Sequence, residues 1–357
     1  MQKARFRGGR RAAVAAVVFA SLGAVTACGS SDTQSAGASS SGTATAARSG
    51  ELKKVTVRMP FAANGGDAPF YYAAKLGYYA DEGLDVEIRE SGGSAQTVTD
   101  VNNGGSDFGE VASPNEMLAV ANGQPLTAIA TTLGSTTFGF FVHKDSGITS
   151  IKQMKGKRVA ALAEVKPIMD AALAAAGLSE DDITPVYADA TALIPTYLSG
   201  KVDSIFSSAL LEGAVQQRVP TNVILQSTVG LNPPDFVLIT KKSRLADDPE
   251  TVRGFVRATL RGWMAARKDP QAAIDALEDE HPEVAGGIAM GTLQATFKYL
   301  CSAAQKGAPY GKNAESDWTG AAKALQQFAG LKGSTDGTRF FTNELFEGSD
   351  AIDVGDC

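Results

Sequence analysis

The chain has 357 residues, 44% of them hydrophobic and 20% charged, with a net charge of −6. That length asks for two hydrophobic cores rather than one, and the negative balance gives no electrostatic ground for nucleic-acid binding. After the N-terminal stretch, no apolar run reaches the roughly 18 residues that a membrane-spanning helix needs.

The first residues read as a targeting segment. Lys3, Arg5, Arg7, Arg10 and Arg11 form a positive region, residues 12–25 an apolar one, and Val25-Thr26-Ala27-Cys28 looks like a bacterial lipobox. Residues 1–27 are therefore expected to be a lipoprotein signal peptide, with Cys28 as the lipidated residue. Arg10-Arg11 hints at twin-arginine export, without the rest of that motif. Residues 28–51 are almost wholly Ser, Ala, Thr and Gly and predict a disordered tether with nothing to bury.

From Val55 onward strands and helices alternate. A short apolar strand runs into a Gly-rich loop and a helix opening at Asp67-Ala68-Pro69, where Asp67 is the expected cap and the Pro has a preset φ. A second strand, 84–88, leads to a helix that Ser94 can cap. A third, 107–112, leads into Ser113-Pro114-Asn115-Glu116, read as a capping box with Pro at its first helical position. Three strands thus feed three helix N-termini in about sixty residues, the construction that places a ligand crevice at the carboxyl ends of an open α/β sheet.

Residues 126–132 predict another strand and 133–137 a polar turn. Residues 138–144 (FGFFVHK) read as a long buried strand, taken as the first crossing into a second lobe. There, 158–162, 183–187, 202–207 and 222–225 predict strands, and 167–176, 191–199 and 210–219 helices, an alternation that implies a mostly parallel sheet. Residues 235–241 are the return crossing, after the stiff turn Asn232-Pro233-Pro234. Beyond Asp247 the pattern is helical only: one long helix to Lys268, another from Asp269-Pro270, then 283–306 and 315–330. This region is expected to wrap the first lobe, with Trp263 and Trp318 as packing residues. The expected division is 52–140 for the first part of lobe 1, 141–237 for lobe 2 and 238–357 for the second part of lobe 1.

With Cys28 assigned to lipid, Cys301 and Cys357 form an even pair, which in an exported protein points to a disulfide. The alternative is a buried free Cys301 and a frayed Cys357. Catalytic signatures are missing: there is no G-x-S-x-G, Walker loop, G-x-G-x-x-G or H-E-x-x-H, and neither His143, on the expected crossing strand, nor His281, before Pro282 on a helical surface, is expected to sit near a second plausible ligand. No metal or cofactor is expected.

The run GYYADEGLDVEI followed by GGSDFGE resembles substrate-binding proteins of ABC importers, in the nitrate, sulfonate, taurine and thiamine-pyrimidine branch (NMT1/THI5-like). Gly123-Gln124-Pro125-Leu126 with Ala128-Ile129-Ala130, the run ITSIKQMKGKRV, Gly200-Lys201-Val202-Asp203 and residues 249–270 extend the resemblance from residue 55 to about residue 346. It implies a periplasmic-binding-protein-like fold of type II, with two α/β lobes joined by two crossing segments and a ligand cleft between them. It further implies a non-enzymatic, monomeric protein, held on the extracytoplasmic face of the cell membrane by its lipid anchor. Its partners would be a small-molecule ligand and the permease and ATPase subunits of an importer. The fungal thiamine-pyrimidine synthase, a cytosolic enzyme with a Cys-rich motif, resembles the same family; that motif is absent here.

Relatives that bind the thiamine pyrimidine carry Trp-Thr-Pro-Asn and a nearby His in the first loop, where this chain has Met59-Pro60-Phe61-Ala62-Ala63-Asn64. The candidate ligand contacts are Phe61, Asn64, Asp67, Phe70, Ser94, Ser113, Asn115, Glu164, Glu212 and Asp235, with Glu110 nearby and Lys166 the one base among them. A cleft so rich in acid and amide suits an aminopyrimidine-like or other nitrogen-rich solute, because a sulfonate, taurine or nitrate would meet repulsion. Those anions remain the alternative.

Overall fold

A computed structural model of the protein describes residues 51–357; the signal segment, Cys28 and the tether up to residue 50 lie outside the described residues. Two five-stranded mixed sheets carry the fold. The first is built from β1 (Lys53–Arg58), β2 (Leu84–Arg89), β3 (Phe108–Ala112), β4 (Leu126–Thr131) and β10 (Phe236–Lys241) in the order β2-β1-β3-β10-β4. The second holds β5 (Phe138–His143), β6 (Arg158–Ala161), β7 (Thr184–Tyr187), β8 (Ser204–Ser208) and β9 (Thr221–Leu225) in the order β7-β6-β8-β5-β9. β1 runs parallel to β2 and β3, and β6 parallel to β7 and β8. β10 and β5, which follow the two changes of sheet, run antiparallel to their neighbours.

The expectation that 138–144 and 235–241 are themselves the crossings is corrected. Each strand lies wholly within one sheet, and the chain changes sheet in 132–137 and 232–235. A strand buried along its length needs ladder partners on both sides, so it ends where one sheet ends. The crossing segments are instead cross-linked to each other. Asp235 N–H donates to the Leu133 carbonyl at 2.7 Å, and Thr136 N–H donates to Asn232 Oδ1 at 3.1 Å.

In the first lobe α1 (Ala68–Lys75), the short α2 (Tyr78–Asp81), α3 (Ser94–Asn103) and α4 (Ser113–Ala121) link the strands. In the second lobe α5 (Lys166–Ala175), α6 (Ala190–Leu198) and α7 (Glu212–Gln216) do so. After β10 come α8 (Lys242–Asp247), α9 (Pro249–Lys268), α10 (Pro270–Glu280), α11 (Gly286–Thr296) and α12 (Glu315–Phe328). α9 buries one face against the first sheet. Phe255 stacks on Phe108 with ring centroids 3.9 Å apart, and Trp263 meets Phe70 edge-to-face at 6.4 Å. Aromatic side chains this deeply buried stabilise by about 1.5–3 kcal/mol each through area alone. Trp263 and Trp318 are both enclosed, at 1% and 0% exposure.

The helix expected over 283–306 stops at Thr296. The next residues use their carbonyls on the first crossing segment: Gly134 N–H donates to Leu300 O at 2.9 Å, Ser135 N–H to Tyr299 O at 3.1 Å and Ser135 Oγ to Cys301 O at 3.1 Å. A continuing helix would have spent those carbonyls on itself. Cys301 is joined to Cys357 by a disulfide, which holds the terminal ribbon against 307–310.

Candidate functional site

The loops at the carboxyl ends of β1, β2, β3, β6 and β8 carry most of the residues singled out above. After β1, Asn64 Oδ1 accepts from Gly66 N–H at 2.9 Å, while Asp67 Oδ2 accepts from the N–H and the side-chain amide of Asn64, both at 2.9 Å. Asn64 is therefore the cap of a 3-10 turn, and Asp67 is not the side-chain cap of α1. The reason is sequence distance: Asp67 lies three residues from Asn64, which closes a box before α1 begins. Gly65 permits close contact with α11, since a methyl there would sit 1.9 Å from Ala289 O.

Two serines are also corrected as caps. Ser94 does not cap α3; its Oγ accepts from Ala112 N–H at 3.0 Å, tying the start of α3 to the end of β3. Ser113 begins α4 without a capping box, because its hydroxyl donates to the Pro234 carbonyl while its N–H donates to Asp235 O at 2.9 Å. Glu116, the supposed far end of that box, is fully buried with both carboxylate oxygens unpartnered. A neighbouring strand end or crossing segment competes with the local backbone for a serine hydroxyl.

Three acids are brought together. Glu110 on β3, Asp67 and Asp235 are 5%, 4% and 2% exposed, and Glu110 feels the charge of both others. Burial raises the Glu110 carboxyl to about 8, against the Thr132 hydroxyl that donates to it at 2.7 Å. Burial likewise raises Asp67 to about 7, opposed by the Asn64 N–H, and Asp235 to about 7, opposed by Thr137. Asp235 Oδ2 accepts from Thr137 N–H at 3.1 Å, so this acid also belongs to the crossing.

The second lobe adds Glu164 and Glu212. A methyl on Gly93 would lie 1.8 Å from Glu164 Oε2, so the carboxylate rests on the loop before α3 and the lobes meet there. Burial raises the Glu164 carboxyl above its ordinary value. Glu212 opens α7 and accepts from Gln216 Nε2 at 2.8 Å.

Two expectations are met otherwise in the structure. Phe70 is fully buried against Trp263 in the first-lobe core and presents no face to a ligand. Lys166 brings no free charge to the cleft, since it pairs with Asp170 at 2.6 Å and Glu180 at 2.7 Å. Phe61 packs in part against the same core, and Asn115 is half-buried without a side-chain partner among the hydrogen bonds of the described residues. A separate cavity of about 190 Å³, lined by Pro114, Gln226, Asn232, Asp317 and Leu325 among others, includes none of the residues predicted for the ligand.

Tyr299 was missed. Its half-buried hydroxyl is raised by burial and, to a lesser extent, by the charges of Glu212 and Asp235. The helical pattern over 283–306 puts it inside a long helix, and only the stop at Thr296 brings its carbonyl to the crossing.

At Gly93 the backbone has φ 150°, where a side chain is strained, and Glu164 occupies the space a methyl would take. Gly93→Ala is expected to hold the lobes apart, visible as a larger radius of gyration in solution scattering. Adding Glu164→Ala should restore the wild-type value; an unchanged radius in the single variant would exclude this contact as the limit to closure.

A family model described as NMT1/THI5 like matches residues 64–273. Riboflavin-binding protein RibY of Chloroflexus aurantiacus is 28% identical over 310 residues, 83% of this chain and 87% of that protein. The 4-amino-5-hydroxymethyl-2-methylpyrimidine phosphate synthase of Legionella pneumophila is 27% identical over 236 residues, 65% of this chain and 75% of its own. Among solved structures, the periplasmic aliphatic sulphonate binding protein SsuA from Escherichia coli superposes with a TM-score of 0.64 at 16% identity, covering 82% of this chain and 92% of that one. At that identity the likeness speaks for the fold: a two-lobed periplasmic-binding-protein architecture.

Proposed function

The chain belongs to the NMT1/THI5-like family, and from that premise we propose that it is an extracytoplasmic solute-binding lipoprotein of an ABC importer. It takes up a small nitrogen-rich, aminopyrimidine-like solute between its lobes and presents it to a permease. Cys28 carries the lipid anchor. The protein does no chemistry on its ligand: its three cysteines are Cys28, Cys301 and Cys357, and no Cys-rich motif like that of the fungal synthase is present.

The observation that carries the ligand class is the set of three buried carboxyls, Asp67, Glu110 and Asp235, on the side of the first sheet where its loops gather. A protonated carboxyl donates one hydrogen bond and accepts another, the complement of an amino group beside a ring nitrogen. An ionised one pairs with a cationic ring and repels a sulfonate or nitrate. Tyr299 offers a face for stacking. The names of two sequence relatives, one a riboflavin-binding protein and one a pyrimidine phosphate synthase, also refer to nitrogen heteroaromatics.

Thermal-shift titration of the purified protein with aminopyrimidines, flavins, taurine, alkanesulfonates and nitrate tests the reading. A heteroaromatic ligand at a hundredfold excess over its Kd should add about 2.7 kcal/mol. Glu212→Ala should weaken binding by about tenfold, or roughly 1.4 kcal/mol. Tight binding of a simple sulfonate, unaffected by Glu212→Ala, would overturn it.

A further inference from the structure

Glu90, His281 and Glu283 were not among the candidate ligand contacts, yet the fold brings them together at the edge of the first lobe, where the Glu90 charge reaches Asp67. Glu90 follows β2, His281 ends α10 and Glu283 lies two residues beyond. His281 Nδ1 is 3.0 Å from Glu283 Oε1 and 3.7 Å from Glu90 Oε1, and one donor atom from each residue lies within 4.8 Å of the others. Ligand bonds of about 2.0–2.2 Å at tetrahedral angles put ligand atoms roughly 3.3–3.6 Å apart. The two His281–carboxylate separations lie within tenths of an ångström of that span, and the two carboxylates are within 4.8 Å of each other.

The surroundings supply what a metal-binding imidazole requires. His281 Nε2 lies 2.8 Å from Tyr71 Oη, with the rings edge-to-face at 5.2 Å. In the tautomer that leaves the Nδ1 lone pair free, Nε2–H donates to that oxygen, which orients the ring in the way outer partners of metal-bound histidines do. Ala63 N–H donates to Glu90 Oε1 at 2.7 Å and steadies the second donor. The Glu283 side chain is 69% exposed, leaving a way in and room for water as a fourth ligand. A cation there would take the place of the Nδ1–H proton that otherwise links the imidazole to Glu283. One imidazole and two carboxylates suit Zn²⁺ and its neighbours in the first transition row, whereas Mg²⁺ and Ca²⁺ prefer all-oxygen sets.

We propose that Glu90, His281 and Glu283 form a binding site for a zinc-class divalent cation on the first lobe. The test is calorimetric titration of tag-free, chelator-stripped protein with zinc chloride, alongside His281→Gln and Glu283→Gln. The expected result is one zinc ion per chain, an affinity at least tenfold weaker in each variant, and no competition from excess Mg²⁺. Glu283→Gln alters an exposed side chain, so it remains informative if His281→Gln disturbs folding. Zinc uptake that is absent, or equal in all three proteins, would overturn the proposal and leave a proton held between imidazole and carboxylates as the account of the cluster.

Discussion

Between about pH 4.5 and about pH 8 the ligand-free protein is expected to lose stability steadily, and Glu110→Gln to lose less by the share that Glu110 carries. Burial is the main cause of the raised Glu110 carboxyl, with Asp67 and Asp235 adding to it. Those two rise to about 7, again chiefly through burial, and burial also raises Glu116. In each case the folded value lies above the unfolded one. The folded state therefore keeps protons that the unfolded chain has already released. The stabilising contribution is full below about pH 4 and is lost as pH climbs through about 7 to 8. A shift of one pH unit corresponds to about 1.4 kcal/mol, so each carboxyl raised by about three units gives a loss on the order of 4 kcal/mol. Urea unfolding at a series of pH values measures it. Equal slopes for wild type and Glu110→Gln would mean that Glu110 is ionised in the folded protein throughout.

Cys357→Ser is expected to cost about 4 kcal/mol on the chain-entropy account of a loop closed across 56 residues. Its consequence reaches further than the terminus. Cys301 belongs to the segment whose Tyr299, Leu300 and Cys301 carbonyls accept from the first crossing, and both cysteines pack against the first-lobe core. Freeing Cys357 removes the tie on 299–301, so Tyr299 should move more and ligand affinity should fall along with the unfolding midpoint. Denaturant titration of the variant beside reduced and oxidised wild type separates the outcomes. A reduced wild type as stable as the oxidised form would mean that the ribbon's own hydrogen bonds, such as Cys357 N–H to Ala308 O at 2.9 Å, hold the terminus unaided.

The alternation of strand and helix was legible because it depends on short-range information. Short apolar runs rich in aromatics such as FGFFVHK favour buried strands by their length and composition, and a Pro at the opening of α1, α4, α9 and α10 marks helix starts whatever lies across the sheet. The two-lobed fold followed from that alternation, from the helical stretch after Asp247 and from the family wording of 77–88.

What each polar group binds was decided only by tertiary structure. Ser94 and Ser113 are both good caps by sequence, yet each meets another partner once a strand end or a crossing segment is within reach. Lys166 reads as a free base until Asp170 and Glu180 close on it. Tyr299 reads as helical until its carbonyl is needed by Ser135. Glu90 and His281 stand far apart along the chain, and no spacing pattern links them until α10 returns to the end of β2. Element type follows from neighbours three or four residues away, whereas hydrogen-bond partners, charge partners and metal donors are set by whichever groups folding places within about 3 Å.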